Sequence, residues 1–261
     1  MLDLAQLPVV DVHCHPFLNR GPVDAEQFTD LTAFGGGSRQ YLEEGGVTVT
    51  DAVHAELQRL KRDTLYFRRM LRDLAAFFGC APDLDTVLAH RNRAVEEDYT
   101  GYVRRLYANA GLTTLVTDFG FPLPMLDIEA VRAELPVEIV PIFRIEPLIV
   151  DLLAMDLTWS EFRQRYDDTI ADALQHKGYK GVKSIIAYRT GLDVSPLSRT
   201  HDQGYQALDA IRRGLGGGSM KKLRDHLLCR ALELCIGYDV PMQIHTGMGD
   251  FEVNLVYCRP A

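Results

Sequence analysis

Apolar residues are spaced differently along the two parts of the chain, and the change falls near Gly111. Between Thr50 and Gly111 they recur every three or four positions, which is the spacing of amphipathic helices. This spacing predicts one helix from about Thr50 to Phe78, ended by Gly79, and a second from about Asp83 to Gly111. After Gly111, short apolar runs rich in β-branched residues alternate with helical segments, which is typical of βαβ units that build a parallel sheet.

Five apolar runs are predicted to be strands, and they lie near residues 10, 115, 140, 183 and 243. The sequence Thr158-Trp159-Ser160-Glu161 predicts the start of an intervening helix, because the threonine hydroxyl and the glutamate carboxylate can satisfy reciprocal backbone donors. No Gly-x-Gly-x-x-Gly follows the first run, so a dinucleotide-binding open sheet loses its main support and a barrel is favoured. The roughly 95 residues between the first two runs are largely helical. We therefore predict one barrel domain over residues 1–261, with a helical insertion at residues 17–110.

Histidines stand at the ends of the first and last predicted strands. One apolar run leads into His13-Cys14-His15, and another ends at His245. Side chains at i and i+2 of a strand lie on the same face, so His13 and His15 are expected to project together, with Cys14 on the opposite face. Paired imidazoles are favourable ligands for a divalent metal ion. On spacing alone, the alternative is that one histidine packs structurally and the other is solvated.

The composition argues against several classes of protein. The 261 residues carry a formal net charge of −8, so they offer no basic surface for nucleic acid. No apolar run approaches the roughly 20 residues that span a bilayer, and the N-terminus lacks the features of a signal peptide. The five cysteines are scattered and odd in number, which does not indicate a disulfide framework. We therefore expect a cytoplasmic protein with neither a nucleic acid nor a membrane as its partner.

Three segments together resemble the amidohydrolase superfamily. More narrowly, they resemble its amidohydrolase-related branch, some of whose members are fused to a glutamine-synthetase-like domain. The His-x-His pair alone occurs in several superfamilies, but three motifs in this order are more specific. The segments are Asp11-Val12-His13-Cys14-His15, Gly181-Val182-Lys183-Ser184-Ile185-Ile186-Ala187-Tyr188-Arg189-Thr190-Gly191 and Gln243-Ile244-His245-Thr246-Gly247-Met248-Gly249-Asp250.

The resemblance implies an α/β fold of the TIM-type (β/α)8 metallo-hydrolase class, with one or two divalent metal ions at the carboxyl ends of the strands. Zinc is the expected ion. In that family a histidine pair after the first strand and a histidine after the fifth bind metal, and here these are His13, His15 and His245. A fourth-strand lysine is carbamylated and bridges two metal ions in some branches. Lys183 occupies this place, and its alternative role is to pack in the barrel or to bind a substrate anion.

The family pattern also contains a histidine after the sixth strand and an aspartate after the eighth. In the family this aspartate binds metal and accepts the proton of the attacking water. Only five strands are predicted here, and about 16 residues follow His245, whereas one βα unit needs about 30. The catalytic aspartate is therefore expected beyond residue 261, and we interpret the sequence as a fragment of a longer protein.

The implied activity is hydrolysis of a C–N or C–O bond in a small-molecule substrate. A divalent metal ion held by histidines lowers the pKa of a water molecule and polarises a carbonyl group. Arg144, Glu146 and Arg189 lie near predicted strand ends and are candidates for binding the substrate, although a structural ion pair explains each of them equally well. Asp118 and Asp250 are weaker candidates, because loop aspartates often cap helices.

Two other functions stay open. One is a metal-dependent decarboxylase or another lyase on the same barrel. The other is a catalytically inactive binding module, since the late-barrel site residues are absent. A phosphoesterase of the other His-x-His barrel superfamily fits the context of Lys183 and His245 less well. The sequence fixes neither the substrate, nor the metal, nor the oligomeric state, and a homo-oligomer stays open.

Overall fold

A computed structural model of the chain describes residues 7–18, 21–32, 38–247, 256 and 258. Within these ranges, no helix combines the length and the apolar character that crossing a membrane requires. One 3₁₀ turn of the described chain, Pro196–Arg199, lies directly before the helix that begins at His201. In chain order the elements are β1 (Val9–Cys14), α1 (Ala25–Thr32), α2 (Ser38–Glu44), α3 (Asp51–Asp63), α4 (Leu65–Phe78), α5 (Leu84–Asn109), β2 (Leu112–Asp118), α6 (Ile128–Glu134), β3 (Glu138–Arg144), α7 (Ile145–Leu153), α8 (Trp159–Gln175), β4 (Val182–Ser184), α9 (Ile186–Arg189), α10 (His201–Arg212), α11 (Ser219–Tyr238) and β5 (Met242–Ile244).

The chain divides into two compact units. The first contains Leu18–Thr113, and therefore α1 to α5. The second contains Val10–Phe17, Thr114–Arg132 and the chain from Glu138 onward, and therefore most of the sheet. The assignment of a single barrel domain with a helical insertion stays a prediction. In the first unit, apolar side chains from α1, α4 and α5 form a buried core with Val23, and these are Phe28, Phe67, Leu71, Ala75 and Val87.

Both long helices predicted before Gly111 are interrupted. The first is divided at Thr64, which ends α3 and whose hydroxyl accepts a hydrogen bond from the Phe67 N–H, so that it caps α4. The second is interrupted at Asp98, whose φ of −161° and ψ of 87° are not helical. The Asp98 carboxylate accepts a hydrogen bond from the Gly101 N–H at 2.8 Å, as an N-cap does at the start of a helix. The apolar spacing continues across both breaks, so periodicity alone did not indicate them.

The strands lie in the order β1-β2-β3-β4-β5, so strands adjacent in sequence are also adjacent in the sheet. The pairs β2–β3, β3–β4 and β4–β5 are parallel, and their register places Lys183 opposite Arg144 on one side and Gln243 on the other. All three residues of β4 are buried, as expected for a parallel strand covered on both faces. Parallel pairing brings the carboxyl ends of these strands to one edge, where functional side chains collect in such folds.

The core of the second unit lies between the sheet and its helices. The predicted capping box opens α8: the Thr158 hydroxyl accepts from the Glu161 N–H, and the Glu161 carboxylate accepts from the Thr158 N–H. Trp159 follows directly and is 7% exposed. The fully buried side chains of this core include Phe162, Tyr166, Ile170, Val182, Leu223, Leu227 and Ala231.

Candidate active site

The end of β1 directs alternate side chains to different neighbours. The Cys14 thiol lies against β2, with Sγ 3.5 Å from Thr117 Oγ1. His13 lies instead beside β4, with Nε2 3.2 Å from Lys183 Nζ. This agrees with the alternation of side chains that the strand geometry predicts.

Lys183 lies at the centre of the site and is fully buried. Its Nζ donates a hydrogen bond to Gln243 Oε1 at 2.5 Å, in addition to its contact with His13 Nε2. Gln243 is held in turn, because its Nε2 donates to the carbonyl of Val12. Burial lowers the pKa of Lys183, while the charge of Asp118 acts in the opposite direction. An ammonium group can only donate hydrogen bonds. If Lys183 is charged, His13 Nε2 must therefore accept its hydrogen bond with a lone pair.

The imidazoles of His13 and His245 contact each other edge to face, with ring centroids 5.1 Å apart. Burial lowers the pKa of His13, and the neighbouring Lys183, His245 and His15 lower it further. A lowered pKa favours the neutral imidazole, which is the form that binds metal ions. His245 also contacts the hydroxyl of Tyr188, which lies 3.0 Å from Nδ1 and contacts Nε2.

His15 lies at the end of β2, beside a buried ion pair. Its Nδ1 is 3.1 Å from the carbonyl oxygen of Asp118, and because a carbonyl can only accept, Nδ1 is the donor, which in a neutral ring leaves the lone pair on Nε2. The Asp118 carboxylate is fully buried and accepts hydrogen bonds from the Gly120 N–H at 2.9 Å and from Arg144 Nε at 2.8 Å. A Cβ at Gly120 would lie 2.4 Å from Arg144 Cβ, so a residue with a side chain there would displace this arginine.

The remaining predicted substrate-binding residues have different environments. Glu146 is 7% exposed, and its Oε1 accepts hydrogen bonds from Ser184 Oγ at 2.7 Å and from the Ile185 N–H at 2.8 Å. Its Oε2 is buried and has no hydrogen-bond partner among the described residues, and burial raises the pKa of Glu146. Arg189 is exposed on α9. The observed contacts of Arg144 and Glu146 are with the protein itself, and substrate binding by these two residues and by Arg189 stays a prediction.

The structure brings together part of the predicted metal set. His13, His245 and Lys183 form one cluster, whereas the His15 ring packs edge to face on Phe121. Within the described residues, no three histidine, cysteine, aspartate or glutamate side chains form a group that could hold a metal ion. Metal binding by His13, His15, His245 and Lys183 therefore stays a prediction, and the weak candidate at residue 250 lies outside the described residues.

Two residues of the site were not identified from the sequence. Gln243 precedes His245 by two positions on the same strand, so the strand parity that was applied to His13 and His15 would have placed it on the same face. Tyr188 lies in α9, five positions after Lys183, and no spacing rule for strands extends across the turn between them. Their contacts make both residues part of the site.

The fold defined by the sheet has a counterpart among solved structures. A crystal structure from Lactobacillus casei ATCC 334, whose name describes an inferred metal-dependent hydrolase, matches 98% of this chain with a TM-score of 0.74 and 21% sequence identity. The chain covers 62% of the length of that protein. At this identity the likeness shows the fold, which is an α/β architecture whose five parallel strands curl into half of a barrel. Closure into a full (β/α)8 barrel stays a prediction.

A curated relative is protein fluG of Emericella nidulans, which is 29% identical to this chain over 228 residues. The match covers 76% of this chain and 26% of protein fluG, so the chain spans about a quarter of that protein's length. No protein-family model matches the chain. Membership of the amidohydrolase superfamily therefore stays a prediction from the three sequence motifs.

Proposed function

We propose that the protein is a metal-dependent hydrolase of the amidohydrolase type, which acts on a C–N or C–O bond of a small-molecule substrate. The observation that carries this proposal is the contact between His13 and His245 beside the buried Lys183. These side chains come from β1, β4 and the end of β5, and they meet at the edge of the sheet where parallel α/β folds bind their ligands. The hydrolase name of the Lactobacillus casei protein, which has the same fold, supports the proposal.

The nitrogen atoms of the site suit a divalent cation. His15 donates its Nδ1–H to a backbone carbonyl and keeps the Nε2 lone pair, as metal-binding histidines commonly do. His13 directs its Nε2 at Lys183 Nζ, so metal binding by this nitrogen requires that Lys183 release it. We propose His13, His15 and His245 as ligands of zinc, which when bound lowers the pKa of a water molecule and polarises a substrate carbonyl.

Lys183 is proposed to pack in the site or to bind a substrate anion, rather than to bridge two metal ions. Its Nζ is held by Gln243 and His13, and both contacts suit an ammonium group. Replacement Lys183→Ala should then leave metal binding in place. Loss of metal with partial rescue by short carboxylic acids would instead indicate a bridging carbamate.

Metal titration of the purified full chain tests the proposal. We expect the metal-free protein to bind one or two Zn²⁺ or Co²⁺ ions by isothermal titration calorimetry and elemental analysis. His13→Asn and His245→Asn should each abolish or strongly weaken binding. His176→Asn is the matched control, because His176 is exposed at the end of α8 and pairs with Asp172. Binding that is equal in all four proteins, or absent in the unaltered chain, would refute the metal site.

The activity is tested separately, with metal-loaded protein that also carries the catalytic aspartate expected from the family pattern, and with a panel of amide, ureide and ester substrates. Metal-dependent release of the hydrolysis products is expected, and Arg189→Ala should raise KM for substrates that carry a carboxylate. Release of CO₂ from a carboxylated substrate would instead identify a decarboxylase. Stoichiometric metal binding without turnover of any substrate would identify a binding module.

A further inference from the structure

Trp159, the first residue of α8, contacts a histidine of α10 and a histidine of α11. Its indole Nε1–H donates a hydrogen bond to His201 Nε2 at 2.9 Å, and its ring lies against that of His226 with centroids 5.3 Å apart. The packing here is close, because a Cβ at Gly204 of α10 would lie 2.4 Å from the Trp159 ring and 2.7 Å from His226 Cδ2. Two imidazoles therefore lie where three helices of the second unit meet.

The hydrogen bonds of both imidazoles require a nitrogen without a proton. An indole N–H can only donate, so His201 Nε2 accepts with its lone pair. His226 Nδ1 lies 2.8 Å from the carbonyl oxygen of Ser198 and is the donor, which in a neutral ring leaves the lone pair on Nε2. This Nε2 is buried and has no hydrogen-bond partner among the described residues. A proton on Nε2 would therefore remove the acceptor of the indole at His201, and at His226 it would create a buried donor without an acceptor.

The surroundings of His226 favour its neutral form. Burial is the largest cause and lowers its pKa, and the charges of Arg163 on α8 and His201 on α10 lower it further, whereas the Ser198 carbonyl and Glu233 on α11 raise it. Because the pKa of His226 is lower in the folded protein, the stability that its neutral ring contributes is present above about pH 6.5, the ordinary value of an imidazole. This contribution is lost as the pH falls through the folded-state pKa.

Two carboxylates lie near the histidines, and neither supplies the missing acceptor. Glu233 forms an ion pair with Arg230 at 2.9 Å, and it does not bond to His226 Nε2. Asp202 Oδ1 is 3.7 Å from His201 Nδ1, not from the Nε2 that accepts the indole N–H. The Asp202 side chain is 88% exposed, so solvent screens its charge.

The segment that carries His201 is held mainly at these contacts. Between Pro196 and Gly204, every position of which the structure describes, only Ser198 and Gly204 are buried. Further along α10, Ala207 and Leu208 are each 2% exposed and belong to the core. Segments with few buried apolar contacts open locally before the rest of a domain unfolds. Residues 196–204 can therefore separate while the remainder of α10 stays packed.

We propose that His201 and His226 form a pH-sensitive latch, which holds residues 196–204 against α8 and α11 while both rings are neutral and releases this segment in mild acid. Protonation of either ring removes or opposes a contact of the closed form. The latch does not depend on the proposed hydrolase function, because none of its residues belongs to the candidate active site.

Glutamine substitutions remove the titration and keep the hydrogen-bonding groups. The amide of His201→Gln can accept the indole N–H, the amide of His226→Gln can donate to the Ser198 carbonyl, and neither ionises. His176→Gln is the matched control, because His176 is an exposed imidazole at the end of α8. Urea unfolding at pH 7.5, followed by the fluorescence of Trp159, shows whether each variant has kept its fold. His201 is exposed, so His201→Gln tests the latch even if the core does not accept glutamine at position 226.

The first measurement is amide hydrogen exchange of the full chain by NMR between pH 7.5 and 5.5, corrected for the intrinsic exchange rate. Three amides are hydrogen-bonded within the segment, and these are Ser198, Thr200 and Gln203. Their protection should fall by up to about 10-fold for each histidine that must be neutral, in the unaltered chain and in His176→Gln. The fall should be smaller in His201→Gln and absent when His226→Gln is added.

The amide of Phe162 in α8 separates local release from general unfolding. It donates to the Thr158 carbonyl, and its protection should not change over this pH range. An equal loss of protection at Phe162 and in the segment would overturn the inference, because acid would then unfold the whole unit. The same pH dependence in the unaltered chain and in the double glutamine variant would also overturn it.

The second measurement follows the imidazole signals and the indole N–H signal during the same pH titration. The signals of His226 are assigned as those missing from His226→Gln, and Trp159 gives the single indole signal because the sequence has one tryptophan. We expect His226 to titrate below pH 6.5, and the indole N–H to lose its protection from exchange over the same range. Titration of His226 at or above pH 6.5, or an indole N–H that stays protected at pH 5.5, would overturn the inference.

Discussion

Replacement of Asp118 by asparagine tests how strongly the buried ion pair stabilises the second unit. The side chains of Asp118 and Arg144 are 1% and 11% exposed. Asparagine keeps the oxygen that accepts the Gly120 N–H, but its amide group turns a donor toward the guanidinium, which is also a donor. Loss of one partner of a buried pair costs about 3–5 kcal/mol, because the remaining charge is left without compensation. Since a domain is stable by only about 5–15 kcal/mol, Asp118→Asn should unfold at a much lower urea concentration.

Trp159 makes the measurement specific to this unit. It is the only tryptophan of the sequence, it is 7% exposed, and it belongs to the same unit as the ion pair. Its fluorescence during urea unfolding at pH 7 therefore gives the free energy of unfolding of the unit that contains Asp118 and Arg144. Asp172→Asn is the matched control, because it removes the same charge from an exposed pair with Lys177, where solvent screens the interaction.

A double variant separates the loss of the pair from other effects of asparagine. Asp118→Asn combined with Arg144→Met also removes the uncompensated guanidinium, so it should be more stable than Asp118→Asn alone. The reasoning is refuted if Asp118→Asn unfolds at the same urea concentration as Asp172→Asn. It is also refuted if the double variant has a lower free energy of unfolding than Asp118→Asn alone.

Two further predictions use the same fluorescence assay. Gly204→Ala should destabilise the second unit by about 1–3 kcal/mol, because the added Cβ would lie 2.4 Å from the Trp159 ring, and unchanged unfolding would contradict this close packing. Burial raises the pKa of Glu146 in the folded protein above its value in the unfolded chain, which is about 4.3. The protonated carboxyl group therefore contributes stability below about pH 4.3, and this contribution is lost as the pH rises through the folded-state pKa. Glu146→Gln cannot ionise, so its stability relative to the unaltered chain should increase as the pH rises above about 4.3, and a difference that is constant with pH would contradict the shift.

The strands were predictable because their signal is local. A run of β-branched residues between turns is sufficient to indicate a strand, and all five predicted runs are strands in the structure. The start of α8 was predictable for the same reason, since a capping box lies within four residues. The breaks at Thr64 and Asp98 were missed because each is made by one polar side chain that caps the next helix, while the apolar spacing continues unchanged.

The candidate site was predictable only where one strand carries the information. The alternation of His13 and Cys14 followed from strand parity, but β4 is buried on both faces, so no alternation in its sequence indicates which way Lys183 points. The pairing of Arg144 with Asp118 depends on the register between two strands, which the sequence does not specify. The contact of Tyr188 with His245 joins residues 57 positions apart across a turn and a strand end.

The strand order has a consequence for the rate at which the site forms. Lys183 and Gln243 are 60 residues apart in the chain, whereas Lys183 and His13 are 170 residues apart. Closing the longer loop costs roughly 1 kcal/mol more conformational entropy, so β2 to β5 can associate before β1 joins them. Within the first unit, Val9 N–H donates to the Gly111 carbonyl at 2.8 Å, which places the start of β1 beside the residue that precedes β2. Folding of the helices between these residues therefore shortens the effective loop, and the speed at which His13 reaches Lys183 depends on the folding of a helical segment that belongs to the other unit.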